Sequence, residues 1–191
     1  RAPSLGVGAS EFKLSAKQIA ERARRIAEQQ GRAHAPEILT AAGITVSRGA
    51  VSFLDARSVR IGDLTIKPRS IVMALGGKAV VPGIPGLAET DYFTPDTIFD
   101  NQRKLTHLVI IGGDAFALEQ AQVQSRLGAQ VTLVPQGPLL AGFDPECVAI
   151  LTTILSEDGI SIKRDATVSQ IKPRSQGIGV DITKADGTVE S

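Results

Sequence analysis

The chain has 191 residues, 42% of them hydrophobic, and its 21 basic and 20 acidic side chains leave a net charge of +1. That length suits one domain or two small ones, and balanced charge with ordinary apolar content excludes a disordered chain. No apolar run approaches the roughly 18 residues that a membrane span needs, and the single cysteine, Cys147, excludes an internal disulfide or a dithiol redox pair.

Arg1-Ala2-Pro3-Ser4 holds neither an initiator Met nor an apolar signal core. A cytoplasmic location is expected, and the chain reads as processed or as a piece of something longer. Residues 15–31 predict an amphipathic helix. Ile19, Ala23, Ile26 and Ala27 recur on one side, Glu21, Arg22, Arg25 and Glu28 fill the other, Ser15 is the cap and Gly31 the stop. Residues 1–90 carry 13 Lys and Arg against 7 Asp and Glu, and residues 91–191 carry 8 against 13. A basic arm at 13–32 for nucleic acid is one reading of that split. The spread of the basic residues and the scarcity of Tyr and Phe for stacking favour two differently solvated regions instead, so no nucleic-acid partner is expected.

A second short helix follows Pro36 and ends at Gly43. Residues 44–47, 50–54, 58–61 and 64–66 are short, β-branched and punctuated by Gly, Asp and Arg, which predicts a small antiparallel meander. The apolar run 70–75 predicts a strand buried on both faces. Residues 76–91 hold four Gly and two Pro and mark a boundary, giving domains 1–90 and 91–191. Thr94 then caps a short helix opened by Pro95.

The second region alternates strand and helix: strand 107–111, a break at Gly112-Gly113, helix 115–127 with Ala117, Leu118, Ala121 and Leu127 inward, and strand 130–134. Asp144-Pro145-Glu146 starts a helix that runs to about Asp158 and stops at Gly159, and strands follow at 160–163, 167–172 and 178–183. Strands spaced by such helices predict an α/β fold with a parallel sheet and flanking helices.

The chemistry lies in 107–135, a strand, a Gly-containing turn, a helix and a strand, the context in which the dinucleotide fingerprint G-x-G-x-x-G/A carries meaning. Its first glycine makes the tight turn, its second lets backbone approach the pyrophosphate, and its third lets helix pack on strand, with the helix N-terminus facing the phosphates. The three positions fall on Gly112, Asp114 and Ala117, so the first and third are met and the second is a carboxylate. Two like charges in contact in a poorly solvated site cost on the order of a few kcal/mol. The second strand ends in Pro135-Gln136-Gly137, with neither the acid that binds a ribose 2′-OH nor an Arg for a 2′-phosphate, so NAD and NADP are not distinguished. A Rossmann-like unit kept for packing, or as an interaction module without nucleotide, is the alternative reading.

The segments IVMALGGKAVVPGIPGL (71–87) and LVIIGGDAFALEQAQVQSRLGAQVTLV (108–134) resemble the FAD-dependent pyridine nucleotide-disulfide oxidoreductases, within them the mercuric reductase and dihydrolipoamide dehydrogenase branch. The resemblance covers about residues 40–190. It implies a fragment that spans the end of an FAD-type domain and most of an incomplete NAD(P)-binding Rossmann-like domain. The parent would pass hydride from NAD(P)H via FAD to a disulfide or metal-ion substrate, as a homodimer. By the same resemblance Ala74 and Gly76 lie beside FAD, with Leu75 in place of the usual Thr. Gly112, Gly113, Ala115, Phe116 and Ala117 would form the nucleotide turn, and Glu119 would face the nicotinamide. The family's FAD glycine loop, its Cys-x4-Cys pair and its His–Glu pair have no counterpart here, so no catalytic residue is assigned and the fragment alone is expected to be inactive.

The other reactive residues carry less. Cys147 is expected to be a half-buried packing residue, because free Cys is usually buried. His34 and His107 have no catalytic context, and two His with one Cys lack zinc-ligand spacing, so no metal is expected. Without the resemblance, Glu119 reads as a surface helix residue.

Overall fold

The computed structural model describes residues 14–175 and 177–191, which group into two compact units. One comprises Glu21–Lys78, and the other holds 79–191 with the described residues up to Ala20. Helix α1, Ala16–Arg32, forms where the amphipathic pattern places it, with the Ser15 hydroxyl accepting from the Gln18 amide at 3.3 Å. Helix α2, Pro36–Ala41, carries proline at its first turn, and Gly43 leaves it at φ +84°, a left-handed conformation that suits glycine.

Strands β1 (Val51–Asp55), β2 (Ser58–Ile61) and β3 (Leu64–Ile66) form an antiparallel sheet in that order. Val51 pairs with Ile61, Phe53 with Val59, Val59 with Ile66 and Ile61 with Leu64, so one face is wholly apolar. Of that face only Val59 is buried, at 9% exposure, while Phe53 is 55% exposed.

Two expected strands are absent. Residues 44–47 and 70–75 have no ladder partner, and in place of a buried strand the second stretch leaves Val72 90% and Leu75 82% exposed. An apolar run has the propensity for a strand, but a strand exists only where a neighbouring edge hydrogen-bonds it. The helix expected after Pro95 is likewise a 3-10 turn at Ile98–Asp100. Its lead-in is held by the Thr97 hydroxyl, which accepts from the Thr94 amide at 2.8 Å.

In the larger unit β4 (His107–Ile111), β5 (Gln130–Val134) and β6 (Ser161–Ile162) form a parallel sheet in the order β4-β5-β6. Helix α3 (Ala115–Arg126) joins the first pair and α4 (Pro145–Glu157) the second. Strands β7 (Ala166–Pro173), β8 (Ile178–Lys184) and β9 (Val189–Glu190) close the chain as an antiparallel meander. The core lies on both faces of β5. Val131 and Leu133 pack with Leu118 and Ala121 of α3 and Leu155 of α4. Val134, on the opposite face, packs with Leu87 and with Val168, Ile171 and Ile182 of the meander. Two-sided burial is what a parallel sheet requires, and β5 meets it with three apolar residues and Thr132, whose hydroxyl is bonded to His107.

The two helices are also tied at their C-terminal ends. The Asp158 carboxylate accepts from Gln122 at 2.8 Å and from Arg126 at 3.0 Å, and its carbonyl accepts from the Ser125 hydroxyl at 2.7 Å. Gly159 leaves α4 at φ +84°, the stop that its sequence position predicts.

Candidate nucleotide site

The fingerprint residues meet at the corner where β4 turns into α3. Register pairs His107 with Gln130 through Ile111 with Val134, and the Gly112 amide extends the ladder by donating to the Val134 carbonyl at 3.0 Å. Gly112 sits at φ +153°, and a Cβ there would lie 3.4 Å from the Ala117 Cβ. The first and third fingerprint positions are therefore in contact, which is the close strand–helix approach that small residues at both positions allow.

Gly113 is covered by the loop after β5. Its carbonyl accepts from the Leu140 amide at 2.7 Å, and a Cβ on it would come within 3.1 Å of the Pro135 Cβ. Asp114 is the N-cap of α3, with extended backbone, and its Oδ1 accepts the Ala117 amide at 2.8 Å. The carboxylate thus turns onto the start of its own helix, where it satisfies one of the orphan amides and complements the positive dipole end.

Ala115 is exposed. Phe116 is partly buried, its ring edge-on to Phe99 at 6.1 Å and 73°. Glu119 lies one turn on, exposed. A cleft of about 490 Å³ opens at this corner and runs along β4, with Gly112, Asp114, Phe116, Ala117 and Gln120 on its α3 side. Its volume is in the range of small-molecule sites. Gln120, 7% exposed, lines this cleft, and its side chain bonds no other described side chain or backbone group.

Five of the predicted site residues, Gly112, Gly113, Ala115, Phe116 and Ala117, form this single corner, and Glu119 is exposed on α3 and is not among the residues that line the cleft. Ala74 and Gly76 belong to the other unit, on the exposed stretch without ladder partners, and form no cradle there. Sequence reading missed Gln120 and Phe99. Gln120 was detectable, as a polar residue among Ala117, Leu118 and Ala121 on the inward side of an apolar helix, whereas Phe99 is far in sequence and only the fold brings it to Phe116.

The remaining reactive residues lie elsewhere. Cys147 is exposed on the first turn of α4, a correction to the packing role expected for it; the helix start places the side chain outward. His107 bonds the Thr132 hydroxyl at 3.0 Å across β4 and β5. The described residues hold no cluster of three metal-ligating side chains, and none of their helices is long and apolar enough to cross a membrane.

A family model described as pyridine nucleotide-disulphide oxidoreductase matches residues 3–191. Mercuric reductase of Streptomyces lividans is 31% identical over 150 residues, covering 76% of this chain and 32% of that protein. Mercuric reductase of Staphylococcus aureus is 24% identical over 99% of the chain and 35% of that protein. Glutathione reductase of a Nostoc strain is 27% identical over 78% of the chain and 32% of that protein. The chain spans about a third of the length of these curated relatives. The solved copper(II) complex of the HOCl-induced flavoprotein disulfide reductase RclA from Escherichia coli shares the fold, with a TM-score of 0.67 at 22% identity over 92% of this chain and 41% of that one.

Proposed function

The chain belongs to the pyridine nucleotide-disulphide oxidoreductase family, and we propose that it supplies the NAD(P)H-binding part of a flavin-dependent enzyme that delivers hydride through FAD to a disulfide or metal-ion substrate. In this reading residues 91–191 are the NAD(P)-binding domain and 1–90 the partial FAD-type domain. The parent is a cytoplasmic homodimer, and this chain by itself has no turnover.

The observation that supports it most is the close approach of Gly112 to Ala117 at the start of α3, beside a cleft of small-molecule size, which the nucleotide turn requires. Gly112, Gly113, Ala115, Phe116 and Ala117 bring backbone to the ligand, and Glu119 faces the nicotinamide, which carries the hydride when it is bound. The second fingerprint position does not fit, since Asp114 places a carboxylate where backbone should meet the pyrophosphate. The residues about Ala74 and Gly76 do not by themselves fit FAD, so no step is derived through it.

Calorimetric titration with NADH and NADPH tests the reading. Saturable binding that Gly112→Val abolishes is the expected result, because valine is strained at φ +153° and its methyl groups reach beyond a Cβ already in contact with Ala117; no binding of either nucleotide up to millimolar concentration defeats it. The second reading, a Rossmann-like structural or interaction module without nucleotide, is favoured by the bond that Asp114 already makes to the Ala117 amide.

A further inference from the structure

Asp114 interrupts the fingerprint, and its position defines how. The carboxylate is bonded at 2.8 Å to the third amide of α3, one of the donors that a helix N-terminus offers to a phosphate oxygen. It supplies the charge that the dipole end would otherwise take from a ligand. A second observation shows that the corner is nonetheless shaped to receive something. Gln120, more than nine-tenths buried and with a side chain that bonds no other described side chain or backbone group, lines the cleft that opens there. The Gln120 amide is not an enclosed, unsatisfied group, so its polar atoms reach the open cleft, where a ligand with a donor–acceptor edge can bond them. Phe116 adds an aromatic wall to the same cleft.

We propose that Asp114 stands in for a phosphate and makes this corner selective for the uncharged nucleoside part of a ligand over its diphosphate, with Gln120 as the polar contact inside the cleft. Asp114 is thus the residue that determines specificity, through charge, while Gln120 contributes by hydrogen bonding alone. The inference rests on the nucleotide reading given above and deepens it: the turn retains its backbone shape, but an anion must displace or tolerate the carboxylate.

Adenosine and ADP separate the two contributions, because they share base and ribose and differ by the diphosphate. Calorimetry on the full chain is expected to show adenosine binding about fivefold more tightly than ADP, the scale of like charges a few ångströms apart at an exposed residue. Asp114→Asn retains an N-cap of equal quality and removes the charge. It should tighten ADP about fivefold while leaving adenosine unchanged, so that the preference disappears. Gln120→Leu, close in volume, should weaken both ligands by the same factor, about threefold to tenfold, as expected for one lost hydrogen bond. Thermal melts of both variants report on folding independently. An adenosine-to-ADP ratio that is equal in the wild-type chain and in Asp114→Asn overturns the role of Asp114 and leaves the nucleotide site standing. If the two ligands are unaffected by Gln120→Leu, the cleft contact is wrong. Absence of binding by adenosine, ADP and NADH to every variant overturns the inference together with the nucleotide site.

Discussion

Asp114 and Gln120 show how single residues depart from a pattern without disturbing the fold. Asp114 is a poor neighbour for a phosphate, yet it is an effective helix cap, so the fold has a use for it that is independent of any ligand. Glu190 is a second residue whose setting departs from its type. It receives the Lys163 ammonium at 2.6 Å and the Lys184 ammonium at 2.5 Å, and these two bonds hold its carboxyl at about 2, from an ordinary value of 4.5. A depressed acid contributes stability that is full above the ordinary value and is lost as pH falls through the lowered one. The β8–β9 pairing should therefore weaken only between about pH 4.5 and 2. A carboxyl titration followed by NMR is expected to place the Glu190 midpoint near 2, and Lys163→Ala should raise it toward 4.5; a wild-type midpoint already near 4.5 would contradict the paired geometry.

At the scale of elements, helices with both a cap and a stop were legible in the sequence. The α4 start at Asp144-Pro145-Glu146 forms as read: the Asp144 carboxylate accepts the Glu146 amide at 2.8 Å, and that of Cys147 at 3.4 Å. Asp144→Ala is expected to cost about 1 kcal/mol in a denaturant melt, the usual loss of an N-cap. An unchanged midpoint would mean that Pro145 alone sets the start. Strand β5 was equally legible, from Val131-Thr132-Leu133-Val134 between the end of α3 and Pro135. The stretch 70–75 is more apolar still and is not a strand. The difference is not local: β5 has β4 and β6 beside it, whereas 70–75 has no neighbouring edge among the described residues. The antiparallel meander β7–β9 also differs from what helix-spaced strands suggest. Pro173 pairs with Ile178 and Thr183 with Val189, so the connections are too short for anything but hairpins.

At the scale of the whole chain, two units with very different cores share one sequence. Strand β5 is covered on both faces, while the apolar face of β1–β3 remains largely open. Native-state hydrogen exchange is expected to follow this contrast, with the amides of β1–β3 exchanging at least about a hundredfold faster than those of β5. Equal protection in the two sheets would show that the meander is covered in solution.

The sequence by itself determined the family, the order of helices and strands about the fingerprint, and the corner formed by Gly112, Gly113 and Ala117, because these depend on local spacing and on residue size. The Asp114 bond to the Ala117 amide, three residues on, is a helix cap and equally local. Only the tertiary structure decided two further features: it set Gln120 against an open cleft and denied 70–75 a strand. Each depends on what lies across space from the residue, where a neighbouring edge or an open cavity is either present or missing, and spacing along the chain carries no record of it.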